Sequence, residues 1–231
     1  MQRKIIYIYG ILLAGLFLYL GNTGGWFSDN QPEQRADTVS QATESRYREL
    51  EIRDYEGTRL DPSVGPRDNS ISGIQQVDLE EYKLRITGLV REPLSYSYEQ
   101  VLEKDKFQRL ITLYCVEGWD ATILWEGVRI IDLLDDAGIL DSGEIVIFHC
   151  VDGYTTSMPL ETIKARDMLL AYSSNGITLP DSLEFPFIVI AEDKLGYKWA
   201  RWVKEIELSS DLEYEGYWES RGFSNEAEVD R

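Results

Sequence analysis

Tyr82, Leu84 and Ile86 alternate with Lys83, Arg85 and Thr87. This period of two belongs to a strand with one face on a core and the other in water. Folded structure is expected to begin in earnest there. Ser97 followed three residues later by Gln100 is a capping-box signature and predicts a short helix through Leu102. Residues 110–114 read as a second strand that delivers Cys115 at its end. Ile130–Ala137 reads as a helix stopped by Gly138. Residues 145–148, 185–191 and 202–208 are further strand candidates. Strands outnumber the short helices, and no internal repeat interrupts them, so the pattern predicts a mixed α+β domain.

Ahead of this region the pattern changes twice. Residues 5–20 are apolar without a charge, and residues 21–27 extend the run to Trp26 and Phe27. Counted to Phe27, the run reaches roughly the 20 residues that a bilayer requires. Arg3 and Lys4 precede it and no comparable basic cluster follows at once. The expectation is an N-terminal membrane anchor over residues 1–27, a single transmembrane helix with the following domain outside the cytoplasm. A cleaved signal peptide is the alternative, but no small-x-small site follows the run and Trp26 suits an interfacial belt. Residues 28–68 are polar and broken by Pro32, Pro62, Gly65 and Pro66. They read as a tether, with a short helix near 45–52 leading into an extended arm packed on the domain. The folded domain is expected over 69–223, with Tyr214, Tyr217 and Trp218 packing back on it. Residues 224–231 read as a frayed acidic tail.

Composition narrows the function. Of 231 residues, about 160 remain after the anchor and tether, a normal size for one core. The net charge of −18 excludes nucleic acid, whose binding needs lysine and arginine against phosphate, and it argues against anionic lipid headgroups. Its ordinary meaning is solubility. Two cysteines, Cys115 and Cys150, make no disulfide framework; one bridge or one thiol with a chemical task both remain open. His149 is the only histidine, which excludes a histidine-rich metal site. His149 and Cys150 read as strand residues, and Asp135 and Asp136 as the solvated face of their helix.

The chemistry concentrates in Tyr114-Cys115-Val116-Glu117-Gly118-Trp119, followed by Trp125-Glu126-Gly127-Val128. A cysteine stands where a strand ends and the chain turns, with a carboxylate two residues on and an aromatic ring four residues on. A thiolate suits a soft or high-valent metal and loses its proton on coordination. Taken alone, a buried cysteine is more often a small core residue.

Three further blocks accompany that motif: Asp152-Gly153-Tyr154-Thr155-Thr156; Leu170-Ala171 with Asn175-Gly176; and Gly196-Tyr197-Lys198-Trp199 with Trp202 and Ile206. In this order and spacing, over residues 69–208, the chain resembles the sulfite oxidase superfamily of molybdopterin enzymes. The resemblance implies a sulfite-oxidase-type molybdopterin-binding fold of mixed sheets and short helices. It implies Mo-molybdopterin as cofactor, with Cys115 as the single protein bond to molybdenum and Glu117 and Trp119 beside the metal. Asn69, Thr155 (or Thr156), Asn175, Gly196, Tyr197 and Lys198 are the implied pterin contacts. Gly196 would let backbone approach the phosphate and Lys198 would offer it a charge, with Arg201 and Lys204 as helpers. One departure stands out: the family's arginine two residues after the proline is Ile188 here.

Within the superfamily the motif is similar to that of periplasmic methionine sulfoxide reductase catalytic subunits. Sulfite oxidases carry an arginine shortly after the cysteine, whereas this chain has Glu117 and Trp119. A partly desolvated carboxylate would repel a dianion by a few kcal/mol. The implied activity is a two-electron oxygen-atom transfer on a neutral oxide such as a sulfoxide, with Trp119 and Trp125 as candidate contacts; core packing is an equal reading of Trp125. The chain has no haem-attachment motif, no iron–sulfur cysteine cluster and no dinucleotide-binding glycine motif. Electrons are therefore expected from a membrane or haem-containing partner. The rival readings are sulfite-oxidase-like oxidation, a non-catalytic module without the metal, and an exported thiol enzyme. Arg3-Lys4 is not a twin-arginine motif, so the export route stays open.

Overall fold

The computed structural model describes residues 39–64, 70–180 and 184–229. The apolar run, residues 28–38 and 65–68 of the tether, and Asn69 lie outside them. No helix among the described residues is long and apolar enough to cross a membrane.

In chain order the elements are α1 (Gln41–Leu50), β1 (Asp54–Tyr55), β2 (Thr58–Arg59), β3 (Leu84–Gly88), β4 (Leu94–Tyr96) and α2 (Tyr98–Leu102). Then come β5 (Phe107–Tyr114), β6 (Asp120–Arg129), α3 (Ile130–Ala137), β7 (Ile145–Cys150), β8 (Thr155–Pro159) and α4 (Leu160–Arg166). The last are β9 (Leu169–Ser174), β10 (Ile177–Thr178), β11 (Ile188–Ile190) and β12 (Val203–Ser209). One sheet runs β10-β9-β6-β5, with β11 also on β9; a second runs β4-β3-β12-β7-β8. The pair β3–β12 is parallel, and the other paired strands of both sheets are antiparallel. This is a mixed fold of sheets with few, short helices, and one core cluster runs from Tyr82 to Leu208.

Local pattern explains much of it. In β3, Leu84 and Ile86 are buried while Arg85 faces water. The capping box is complete: Ser97 accepts from the Gln100 N–H and the Gln100 side chain accepts from the Ser97 N–H. In α3 the buried residues are Ile130, Leu133, Leu134 and Ala137, one helical face, and Gly138 ends it at φ 78°.

Elsewhere tertiary contacts override the pattern. The ten-residue β6 has no clean alternation because Leu124 and Trp125 are buried next to each other. At Gly127 a Cβ would stand 2.2 Å from Leu170 O, so β6 and β9 meet closely where their register shifts. The helix α4 starts after Pro159 without a side-chain cap, which leaves no capping signature to read. The helix expected near 45–52 lies earlier, at Gln41–Leu50, because Ser40 caps it by accepting from the Thr43 N–H at 3.1 Å. The strand expected from Trp202 begins one residue later, since Trp202 adopts φ 52°. Packing also continues beyond Phe223: Leu195 N–H donates to Ala227 O at 2.8 Å, and Val229 N–H to Asp193 O at 3.1 Å.

Candidate cofactor cleft and the Cys115 turn

β5 and β6 pair as far as Tyr114 and Asp120, so residues 115–119 form the hairpin turn between them. Cys115 N–H donates to Trp119 O at 2.9 Å, and Gly118 N–H returns to Cys115 O at 3.0 Å. Gly118 holds φ 85°, which glycine adopts without strain. The turn lifts Cys115 out of the sheet at intermediate exposure. Burial raises its thiol pKa, the backbone N–H groups of Glu117 and Val116 lower it, and the Glu117 carboxylate adds a rise. The net direction is a raised pKa, which favours the neutral thiol until a bound metal takes the place of its proton. Val116 and Trp119 stand 53% and 47% exposed on the same turn. Trp119 Nε1 donates to Glu117 Oε2 at 3.1 Å. Glu117 is itself exposed. Its repulsion of an anion is therefore that of a solvated charge, about 1 kcal/mol per unit charge at 4 Å rather than the larger figure of a desolvated site.

Tyr114 forms a parallel bridge with Leu195, which lays the Gly196–Lys198 3-10 turn against the cysteine. A Cβ on Gly196 would meet Tyr114 O at 3.5 Å and Cys115 Cα at 3.8 Å. Beside this contact opens a cleft lined by Asp152 and Tyr154 from the β7–β8 turn, by Gly196, Tyr197 and Trp199, and by Arg201 and Trp202. Ser70, Ile71 and Trp218 complete its walls. Tyr154 donates its hydroxyl to Tyr197 O. Burial holds that phenol far above its usual pKa, so it remains a donor.

Three features test whether this cleft suits a pterin phosphate. Trp202 Nε1 is buried and has no hydrogen-bond partner among the described residues, so an acceptor-rich heterocycle would meet a waiting donor. Protein neighbours do not crowd Gly196; ordinary contact room remains, which leaves a cradle that a side chain would fill. Arg201 lines the cleft and carries the charge a phosphate needs. The residues fit the group.

The expected site residues divide between this cleft and other duties. Gly196 and Tyr197 line it. Lys198 does not: its ammonium donates to Ser157 O at 2.9 Å, Glu219 Oε1 at 2.5 Å and Asn225 Oδ1 at 2.8 Å. All three donors of an ammonium are thus used. Burial, the dominant influence, lowers the Lys198 pKa. Asn175 is fully buried, with Oδ1 accepting from Leu124 N–H at 3.0 Å. Its Nδ2 donates to Glu51 Oε2 at 3.0 Å and Asp61 O at 2.9 Å. Thr155 opens β8 and its carbonyl accepts from Tyr217 N–H at 2.8 Å, while Thr156 donates to Glu219 Oε1 at 2.6 Å. Trp125 is core, with its ring 5.8 Å from that of Trp199. Cys150 is buried and unbridged, and His149 Nε2 meets Glu207 Oε2 at 2.8 Å. Ile188, where the resemblance leads one to expect an arginine, is bridged to Arg201. Among the described residues no three His, Cys, Asp or Glu side chains could hold a metal by themselves.

Sequence reasoning passed over Tyr154, Trp202 and Trp218 as cleft residues. The first two stand inside blocks that carry the resemblance. Trp218 was legible only as part of an aromatic-rich segment.

Over residues 71–218 the chain matches the family described as the oxidoreductase molybdopterin binding domain. It is 31% identical over 147 residues to the uncharacterized oxidoreductase YuiH of Bacillus subtilis, covering 63% of this chain and 74% of that protein. It is 28% identical over 151 residues to a putative protein-methionine-sulfoxide reductase subunit, YedZ1, of Azospira oryzae, covering 65% of this chain and 57% of the relative. The chain thus spans about three quarters of the first relative and little more than half of the second. The sulfane dehydrogenase SoxCD from Paracoccus pantotrophus shares the fold, with a TM-score of 0.57 at 18% identity over 81% of this chain and 56% of that one. With the family matched across the segments that build the cleft and the Cys115 turn, this chain belongs to the molybdopterin-binding oxidoreductases of the sulfite oxidase superfamily.

Proposed function

We propose that this chain reduces a sulfoxide or a similar neutral oxide by two-electron oxygen-atom transfer, with Cys115 as the protein ligand to molybdenum. The observation that carries this reading is the chemistry of the Cys115 turn. Val116 and Trp119 are exposed there and Glu117 is its one charged side chain, so the turn itself offers no cation to a dianion such as sulfite. Similarity to a putative methionine-sulfoxide reductase subunit supports the same substrate class. When bound, the Mo-molybdopterin group supplies the two-electron redox couple and the oxo-transfer chemistry. The overall change is sulfoxide plus two protons and two electrons giving sulfide and water.

In this reading Cys115 fixes the reacting centre through its sulfur. Glu117, exposed and two residues away, relays protons from water to the departing oxygen. Val116 and Trp119 seat the organic groups of the substrate. Gly196, Tyr197 and the Trp202 N–H hold the pterin, and Arg201 holds its phosphate. Asn69 and Thr155 belong to the binding set that the resemblance implies, and Tyr154, next to Thr155, lines the cleft. Lys198 acts at one remove, through its hold on the segment that carries Trp218, and Asn175 anchors the 39–64 arm. The two electrons come from a membrane or haem-containing partner, with residues 1–27 as the anchor and the domain outside the cytoplasm.

Dye kinetics test the substrate. A reduced viologen should be reoxidised by small sulfoxides faster than sulfite reduces an artificial acceptor, and efficient sulfite oxidation would overturn the substrate class. Cys115→Ser should bring activity to background and remove the thiolate-to-molybdenum absorption band, because a hydroxyl is a harder ligand and ionises far less readily. Cys150→Ser should leave the band in place. Protease added to intact cells, or to spheroplasts where an outer membrane is present, should digest the domain; full protection until lysis would reverse the topology.

A further inference from the structure

After β12 the chain doubles back, and residues 210–229 return to the cofactor cleft. Tyr217 N–H donates to Thr155 O at 2.8 Å, and Asn225 Nδ2 to Tyr214 O at 3.1 Å. At Gly216 a Cβ would stand 2.3 Å from Thr155 O, so docking this close admits only glycine. The result is that Trp218 reaches the wall of the cleft that Tyr154 and Trp202 also line. Its ring is braced edge-on by Tyr217 at 5.3 Å and Phe223 at 5.2 Å, and Phe223 leans edge-on against Tyr197 at 5.4 Å. The next residue, Glu219, meets Lys198 at 2.5 Å with side-chain exposures of 1% and 0%. Lys198 also holds Ser157 of β8 and Asn225 farther along the returning segment. One ammonium therefore clamps the segment to the sheet at two points after Trp218, Glu219 and Asn225. A pair buried so completely holds in one arrangement or not at all, since opening it strands a charge.

Resting on the reading of this cleft as the pterin site, we propose that Trp218 is a cofactor-contacting wall and that the Lys198–Glu219 pair is the latch holding it there, so the cofactor enters with the C-terminal arm released and is retained with the arm docked. Lys198 and Glu219 are positioning residues in this scheme. Linkage then requires reciprocity: the docked arm tightens cofactor binding, and bound cofactor strengthens docking by the same factor.

The test uses the full chain, with and without cofactor, and two readouts besides activity. One is molybdenum retained per protein during prolonged dialysis; the other is the rate of tryptic cleavage after the exposed Arg221. Cofactor-loaded wild type should be cut after Arg221 more slowly than cofactor-free protein. Trp218→Ala should lose molybdenum on the order of tenfold faster, the scale of one aromatic contact. Glu219→Gln should speed both cofactor loss and cleavage. If Glu219→Gln does not fold, Trp218→Ala carries the test, because it leaves the ion pair intact. Tyr154→Ala, within the cleft itself, separates the two levels of the argument. If Tyr154→Ala strips molybdenum while Trp218→Ala and Glu219→Gln retain it as wild type does, the cleft stands and the arm proposal falls. If Tyr154→Ala also retains it fully, the cleft assignment is at fault and both fall.

Discussion

Two arms pack on this domain, and each is tied down by one buried glutamate. For residues 39–64 it is Glu51, whose Oε2 accepts from Ser63 N–H and Oγ at 2.9 Å each and from Asn175 Nδ2 at 3.0 Å, while Arg53 reaches Oε1 at 2.8 Å. For residues 210–229 it is Glu219, whose Oε1 receives Lys198 at 2.5 Å and Thr156 at 2.6 Å. Glu51 spreads its charge over several donors, so losing one leaves the others. Glu219 relies on a single buried cation, and that cation relies on it. The arms also reach different places: the second brings Trp218 to the cleft, while Glu51 and Asn175 are not among the residues that line it. A carboxylate anchor can serve as scaffolding or as part of a binding site, and its partners decide how sharply it responds to damage.

The largest expected effect comes from breaking the ion pair on one side. Lys198→Met leaves Glu219 buried without its cation and should cost about 3–5 kcal/mol in urea unfolding of the cofactor-free chain. A loss below about 1 kcal/mol, the scale of a surface pair, would erase the contrast between the arms.

A third enclosed carboxylate, Glu184, has neither solution. Its Oε2 is buried without a hydrogen-bond partner among the described residues. Burial pushes its pKa up to about 7, against the lowering influence of Arg201. Because the folded pKa lies above the unfolded one, the folded state binds more protons between roughly pH 4.5 and 7. Stability should therefore fall as pH rises through that window and level off above it, by up to about 3 kcal/mol from this group. Glu184→Gln should flatten the window and unfold at higher urea than wild type at pH 8. An unchanged slope in the variant would show that another group sets it.

How far these contrasts could be read beforehand depends on the range of the interactions involved. β3, α2 and α3 rest on local spacing and caps, and the sequence shows them. Cys115 at a strand end was legible for the same reason. β6 was not, because Gly127 and a register shift break its alternation where it meets β9. The cleft joins Cys115 to a turn around Gly196, which no local window contains; only the four-block resemblance pointed to both. Asn175 and Lys198 have the residue types a cofactor pocket wants. Their structural partners Glu51 and Glu219 lie 124 and 21 positions away, and those partners take up the donors. A motif identifies a polar side chain, while its hydrogen bonds depend on what the rest of the chain places beside it.

Asn175→Ala should have the smallest effect of the three, and it sharpens the comparison most. The substitution removes the acceptor of Leu124 N–H and the donors to Glu51 and Asp61, and it leaves alanine at φ 48°, a region that disfavours it. Glu51 keeps both Ser63 donors and Arg53, so its charge stays satisfied. The cost should be about 1–3 kcal/mol, that of buried groups left without partners. The damage should stay at the first arm, with faster tryptic cleavage after Arg53 and Arg59 and an unchanged rate after Arg221. Molybdenum retention should match wild type, since Asn175 acts on an arm and not on the cleft. Loss of molybdenum as fast as in Trp218→Ala would instead make Asn175 the cofactor contact that the resemblance implies, and the two arms would then differ only in charge.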